Sequence, residues 1–113
     1  MMATPPPYLG EFEQLVLLAV LRLGDEAYAV PIRQAIEEAA ARSVSRGALY
    51  TTLERLESKG FLASRIGEPT ADRGGRARRY HSVTPLGLRA LRAAREAVMR
   101  LSTGLESTLG RLR

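Results

Sequence analysis

Arg46, Gly47, Tyr50 and Thr51 bring a guanidinium, a bare stretch of backbone, a phenol and a hydroxyl to one side of a single predicted helix. Helical spacing gathers them near its N-terminus, directly after Ser45, which is placed to cap it. These groups donate and accept hydrogen bonds, and none of them has a base beside it to make it a nucleophile. An arginine pairs bidentately with a guanine edge, whereas a phenol or hydroxyl donates to phosphate or meets a thymine methyl. The chemistry on offer is therefore recognition of nucleic acid, with Ser45, Arg46, Gly47, Tyr50 and Thr51 as the reading set. A second set, Arg73, Gly74, Gly75, Arg76, Arg78 and Arg79, clusters cations around a glycine pair, opposed only by Glu68 and Asp72. Arginines on such a loop suit phosphates or a minor groove, so affinity is expected here and specificity from the helix. The glycine pair is not a nucleotide cradle, because no Gly-Lys-Ser/Thr follows it.

Other chemistries find little to work with. The 113 residues contain no cysteine and one histidine, His81, so disulfides, thiolate metal sites and His-rich zinc constellations are excluded. His81 reads as a packed strand histidine. Serines and threonines stand in no recognisable nucleophile motif and the carboxylates fall mostly on helix surfaces, so neither an enzyme nor a cofactor is expected. The net charge of +5 and pI near 10.4 favour an anionic partner. Lys59 is the only lysine, so the placement of the arginines matters more than the total. The most apolar run, Leu15 to Leu23, is interrupted by Arg22 and is too short to span a bilayer; the start lacks the order of a signal peptide. A soluble protein of the reducing cytoplasm is the expectation, with no membrane partner.

The elements that must hold these residues can be read in order. Residues 1–8, with Pro5, Pro6 and Pro7, read as a flexible proline-rich arm. Phe12, Leu15, Val16, Ala19, Val20 and Leu23 follow a helical period that Gly24 closes, and Leu17, Leu18 and Leu21 widen the apolar surface almost all round. Such a helix suits a dimer interface. Pro31 opens a short amphipathic helix through Ile32, Ala35 and Ile36. A turn of a few residues joins it to the Ser45–Gly60 helix, whose Leu49, Leu53 and Leu56 point into a core. That pairing is the outline of a helix-turn-helix. Residues 61–66 and 79–83 read as strands of a hairpin with the basic loop at its tip, Leu62, Ile66 and Val83 facing inward. After Thr84-Pro85 one helix could run to the end of the chain, with Leu91, Val98, Leu105 and Leu112 seven apart and Ala94, Leu101 and Thr108 between them. So long a seam has nothing left to pack on in a small domain, and a second chain would satisfy it, with Leu91, Ala94, Val98, Leu101 and Leu105 as the dimer contacts.

The chain is thus expected to be mainly α (α+β): a winged helix-turn-helix over residues 9–83, a two-stranded β-wing, and a long C-terminal dimerisation helix over 84–113. Tyr28, the block from Gly47 through Tyr50 to Glu57, Gly60, the wing from Gly74-Gly75-Arg76 to Tyr80, and Thr84-Pro-Leu-Gly87 resemble the signature of PadR-type transcriptional regulators. The resemblance covers residues 9 to about 100. It implies a homodimeric repressor of the short subclass that grips double-stranded operator DNA with its winged domain and dimerises through its last helix.

Two rival functions share the same fold. A winged helix can be a protein-interaction module of a larger assembly, binding duplex DNA no better than other polyanions. It can also be chiefly a sensor, in which a small-molecule effector fills a pocket between the first and last helices of the dimer and releases the DNA. Tyr8, Phe12, Val98 and Met99 are the apolar residues available to line such a pocket, and there is no tryptophan to stack on an aromatic effector.

Overall fold

In the computed structural model, which describes residues 8–68 and 77–110, the apolar period of the first segment forms helix α1 (Glu11–Leu23). A 3-10 turn (Gly24–Glu26) leads to α2 (Ala29–Ala40), and α3 (Arg46–Ser58) follows. Strands β1 (Leu62–Ile66) and β2 (Arg79–Val83) precede α4 (Pro85–Ser102) and a short α5 (Glu106–Gly110). Three helices and a two-stranded wing make the expected mainly helical winged helix-turn-helix. The arm residues 1–7, the wing residues Arg73, Gly74, Gly75 and Arg76, and Leu112 lie outside the described residues.

One core joins these elements. Val16, Leu17 and Val20 of α1, Ile32 and Ile36 of α2, and Leu49, Leu53 and Leu56 of α3 are buried together with Phe61 and Leu62. Burying a leucine or isoleucine side chain stabilises by about 1.5–3 kcal/mol, so these stripes fix how the helices pack. At one end, Glu13 of α1 accepts from the Gly10 backbone N–H and from Lys59 Nζ, each at 2.9 Å. Burial acts to raise the Glu13 pKa, but the hydrogen bonds from Lys59 and Gly10 and the charges of Lys59 and Arg55 outweigh it, and the carboxyl stays below its ordinary value.

The two strands pair antiparallel with Leu62 opposite Val83, Ser64 opposite His81 and Ile66 opposite Arg79 on one face, and Arg65 opposite Tyr80 on the other. The His81 N–H donates to the Ala27 carbonyl at 2.8 Å, which ties the hairpin's free edge to the entrance of α2. Leu62 is buried and Val83 half-buried, but Ile66, expected to face inward, is 60% exposed. It shares the inner face, yet it lies on the part of the hairpin that runs past the helices.

Thr84 bolts the wing to α4. Its hydroxyl donates to the Gly60 carbonyl at 2.6 Å and accepts from the Gly87 N–H at 3.0 Å, so one side chain both caps α4 and grips the end of α3. Gly87 sits against the Phe61 carbonyl, where a Cβ would come within 2.3 Å of the oxygen. The first turn of α4 and the chain leaving α3 therefore form one close joint.

The last segment differs from the single helix expected. Thr103 leaves the helical region, Gly104 takes φ +88°, and the Glu106 carboxylate accepts from the Gly104 N–H at 3.1 Å, so α5 starts as a separate turn. A glycine with positive φ ends a helix more effectively than a heptad pattern extends it. Leu91 also departs from the seam assigned to it: it is 4% exposed, packed within its own chain, and Ala94 is half-buried against the same core. Val98, Leu101 and Leu105 are 60%, 82% and 47% exposed. The seven-residue period mixed two uses, an internal contact in the first half of α4 and an open face in the second.

Candidate nucleic-acid interface

Helix α3 is presented by capping and by its buried stripe. The Ser45 hydroxyl accepts from the Ala48 N–H at 3.1 Å, and the turn before it is closed by the Glu37 carboxylate accepting from the Val44 N–H at 2.8 Å. At the other end the Phe61 N–H bonds the Leu56 carbonyl and the Gly60 N–H bonds that of Glu57, the pattern of a helix stopped by a left-handed residue. Between these stops Leu49, Thr52, Leu53 and Leu56 are buried, and Arg46, Gly47, Tyr50 and Thr51 are exposed. The adjacent threonines divide the work: Thr52 turns inward and donates to the Ala48 carbonyl at 2.8 Å, while Thr51 faces out. A Cβ built on Gly47 meets nothing within 4 Å, so the chain's own packing does not require a glycine there.

An open cleft of about 1370 Å³ separates α3 from the wing. One wall carries Arg46, Tyr50, Glu54 and Glu57 of α3; the other carries Arg78, Arg79 and His81, with Tyr28 at the mouth of α2. Four of the reading residues assigned from sequence, Arg46, Gly47, Tyr50 and Thr51, share the outward side of α3, and two of these line the cleft. Ser45 is exposed but its hydroxyl is spent on the cap.

Of the wing arginines within the described residues, Arg78 and Arg79 reach the same cleft by different means. Arg79 donates from Nη1 to the Ser64 hydroxyl at 3.0 Å, and Ser64 in turn donates to the Glu57 carboxylate at 3.2 Å. This chain of bonds couples β2 through β1 to α3. Arg78 lies over the Tyr28 ring, 4.3 Å from its centroid, Tyr28 meets Tyr80 edge-on at 5.6 Å, and Arg65 covers the Tyr80 ring at 4.6 Å. Cations over aromatic faces are attracted by the ring quadrupole. The stack Arg78, Tyr28, Tyr80, Arg65 thereby fixes the angle at which the wing leaves the helices. Sequence reading missed Arg65, Glu54 and the bridging Ser64; the only signal for the stack was the pair of tyrosines, separated by most of the domain.

His81 is buried inside the hairpin, its Nδ1 without a hydrogen-bond partner. Burial pushes its pKa below the ordinary value, Glu57 opposes that shift and Arg79 adds to it. Among the described residues no group of acidic, histidine or cysteine side chains could hold a metal ion, and no helix is long and apolar enough to cross a membrane.

A second, smaller hollow of about 410 Å³ lies between α1 and α4, lined by Leu18, Leu21, Leu88, Leu91 and Met99 among others. Of the four residues suggested for an effector pocket, Met99 alone lines it. Phe12 instead packs against the core, with Arg42 5.9 Å over its ring.

The model of the transcriptional regulator PadR-like family matches residues 17–93, more than half of the chain. No curated protein matches it in sequence. Among solved structures it is similar to a PadR family transcriptional regulator from Eggerthella lenta, with 29% identity, 88% of this chain and 86% of that one covered, and a TM-score of 0.64. It is also similar to a PadR-like transcription factor from Bacteroides fragilis, at 28% identity, 86% and 88% coverage and a TM-score of 0.67. A PadR-like regulator from Bacillus cereus shares the fold at 20% identity, 87% and 90% coverage and a TM-score of 0.68.

Proposed function

The chain belongs to the PadR-like family of transcriptional regulators, and from that premise we propose that it is a homodimeric repressor of sequence-specific, double-stranded operator DNA. One observation carries the reading: Arg46 and Tyr50, from the exposed face that also holds Gly47 and Thr51, border the same cleft as Arg78 and Arg79 at the base of the wing. A helix of this kind fits the major groove, and the wing then falls on the adjacent backbone. Gly47 supports it, since a residue that costs helix stability and serves no internal contact leaves room for an outside surface. Two such helices, one per subunit, would enter successive major grooves about 34 Å apart. Val98, Leu101 and Leu105 together with Leu21 offer the apolar surface for the second subunit. A dimer seated on a promoter excludes other proteins from those grooves, which represses. An effector that fills the hollow between α1 and α4 would alter the same packing and release the DNA.

The test is a gel-shift titration, on a duplex selected for binding, with Arg46→Ala and Tyr50→Ala. Each is expected to weaken binding, Arg46→Ala by about 1–3 kcal/mol if it reads a guanine edge, with the thermal melt unchanged because both side chains are exposed. Wild-type affinity in both variants would remove this face of α3 from the interface.

A further inference from the structure

The outward strip of α3 does not end at Tyr50. Arg46, Tyr50 and Glu54 stand four residues apart, all three are exposed, and all three line the α3 wall of the cleft. Glu54 is the anomaly: it sets a carboxylate on a surface otherwise suited to a polyanion. Its neighbour Glu57 has an internal task, accepting from Ser64, whereas Glu54 enters no hydrogen bond or ion pair among the described residues.

Resting on the DNA-binding reading above, the geometry points to Glu54 as a specificity-determining residue that reads a cytosine. Beside phosphates a carboxylate is repelled, and it is tolerated in a groove only where its oxygens meet donors. The major-groove edges present two, the N4 amino group of cytosine and the N6 amino group of adenine. Adenine also turns its N7 acceptor toward the groove next to N6, which repels a carboxylate; cytosine presents the amino group without a neighbouring acceptor on its own ring. Cytosine is the better match. Eight residues at about 1.5 Å rise separate Arg46 from Glu54 by roughly 12 Å along the helix. At about 3.4 Å per step of one strand, that distance spans roughly three to four base pairs. A half-site thus carries a guanine read by Arg46 and, about that far along the groove, a cytosine read by Glu54, with Tyr50 between them.

The experiment is selection of bound fragments from random duplex DNA, with sequencing, for the full chain and for Glu54→Gln and Glu54→Ala at one salt concentration. The wild type is expected to enrich a cytosine at one position of each half-site. Glu54→Gln should change that position to adenine, since a glutamine pairs bidentately with adenine N6 and N7, and leave the others as they were. Glu54→Ala should flatten the preference at that position, costing roughly tenfold in discrimination there, while binding to unselected DNA tightens as a negative charge is removed. If both variants keep the wild-type preference at every position and merely bind all duplexes better, Glu54 is a solvated charge and the assignment is overturned. If the wild type enriches no sequence at all, the reading of α3 as a recognition helix fails and takes the Glu54 assignment with it.

Discussion

His81 shows how far residue types alone can be read. Its burial in a strand was legible, because an isolated histidine with no second histidine, cysteine or carboxylate beside it in sequence has no other common use; that its Nδ1 would be left without a partner was not, since that depends on Ser64 and Glu57 brought near by the fold. The depressed pKa has a definite sign. The folded state resists protonating His81, so the unfolded chain binds more protons as pH falls through the ordinary histidine value of 6.5. The contribution is therefore fully present above that value and is lost progressively toward the lowered folded pKa. Urea midpoints measured from pH 8 down to pH 5 should fall below about pH 6.5, and His81→Gln should flatten that part of the profile. A decline of equal steepness in the variant would place the proton elsewhere. Glu13, which moves the same way at its own lower value, is separated from it by that difference.

At the scale of elements, α3 was the most legible part of the chain. Ser45, Gly60 and the leucine stripe are local signals, and the cap, the stop and the buried face all fall on them. The wing was legible as two strands but not as a surface. Which of its arginines face outward depends on contacts with Tyr28 and Ser64, and neither is near them in sequence. These contacts do not remove Arg78 and Arg79 from the cleft; they hold each guanidinium at its edge. Replacing Arg76, Arg78 and Arg79 together by alanine should lower affinity for any duplex and flatten its salt dependence, by about 0.9 in the log–log slope for each phosphate no longer neutralised. Titrations at several salt concentrations read this directly, and an unchanged slope would return the wing to a solvated loop. The interruption at Gly104 is not legible in the apolar pattern for a related reason. A heptad count registers apolar positions and is blind to the positive φ that Gly104 adopts.

At the scale of the whole molecule, the exposed face of α4 is where the proposed second subunit would sit. Val98→Glu with Leu101→Glu places two charges on residues exposed in the single chain, so folding should survive while a dimer does not. Sedimentation at dilute concentration should show the variant at monomer mass, and a stable dimer would move the contact to α1 or α5. Leu91 belongs in the opposite class: buried in its own chain, it would cost about 2–5 kcal/mol on truncation to alanine before any association was affected. The close joint between Thr84, Gly60 and Gly87 gives this arrangement a mechanical meaning. Helix α4 is a rod of about 27 Å, at about 1.5 Å for each of its 18 residues, clamped at its base to the end of α3. A tilt of roughly 5° at that clamp displaces the far end of such a rod by about 2.4 Å. Whatever grips the distal half of α4 would therefore act with leverage on the joint that holds the end of α3.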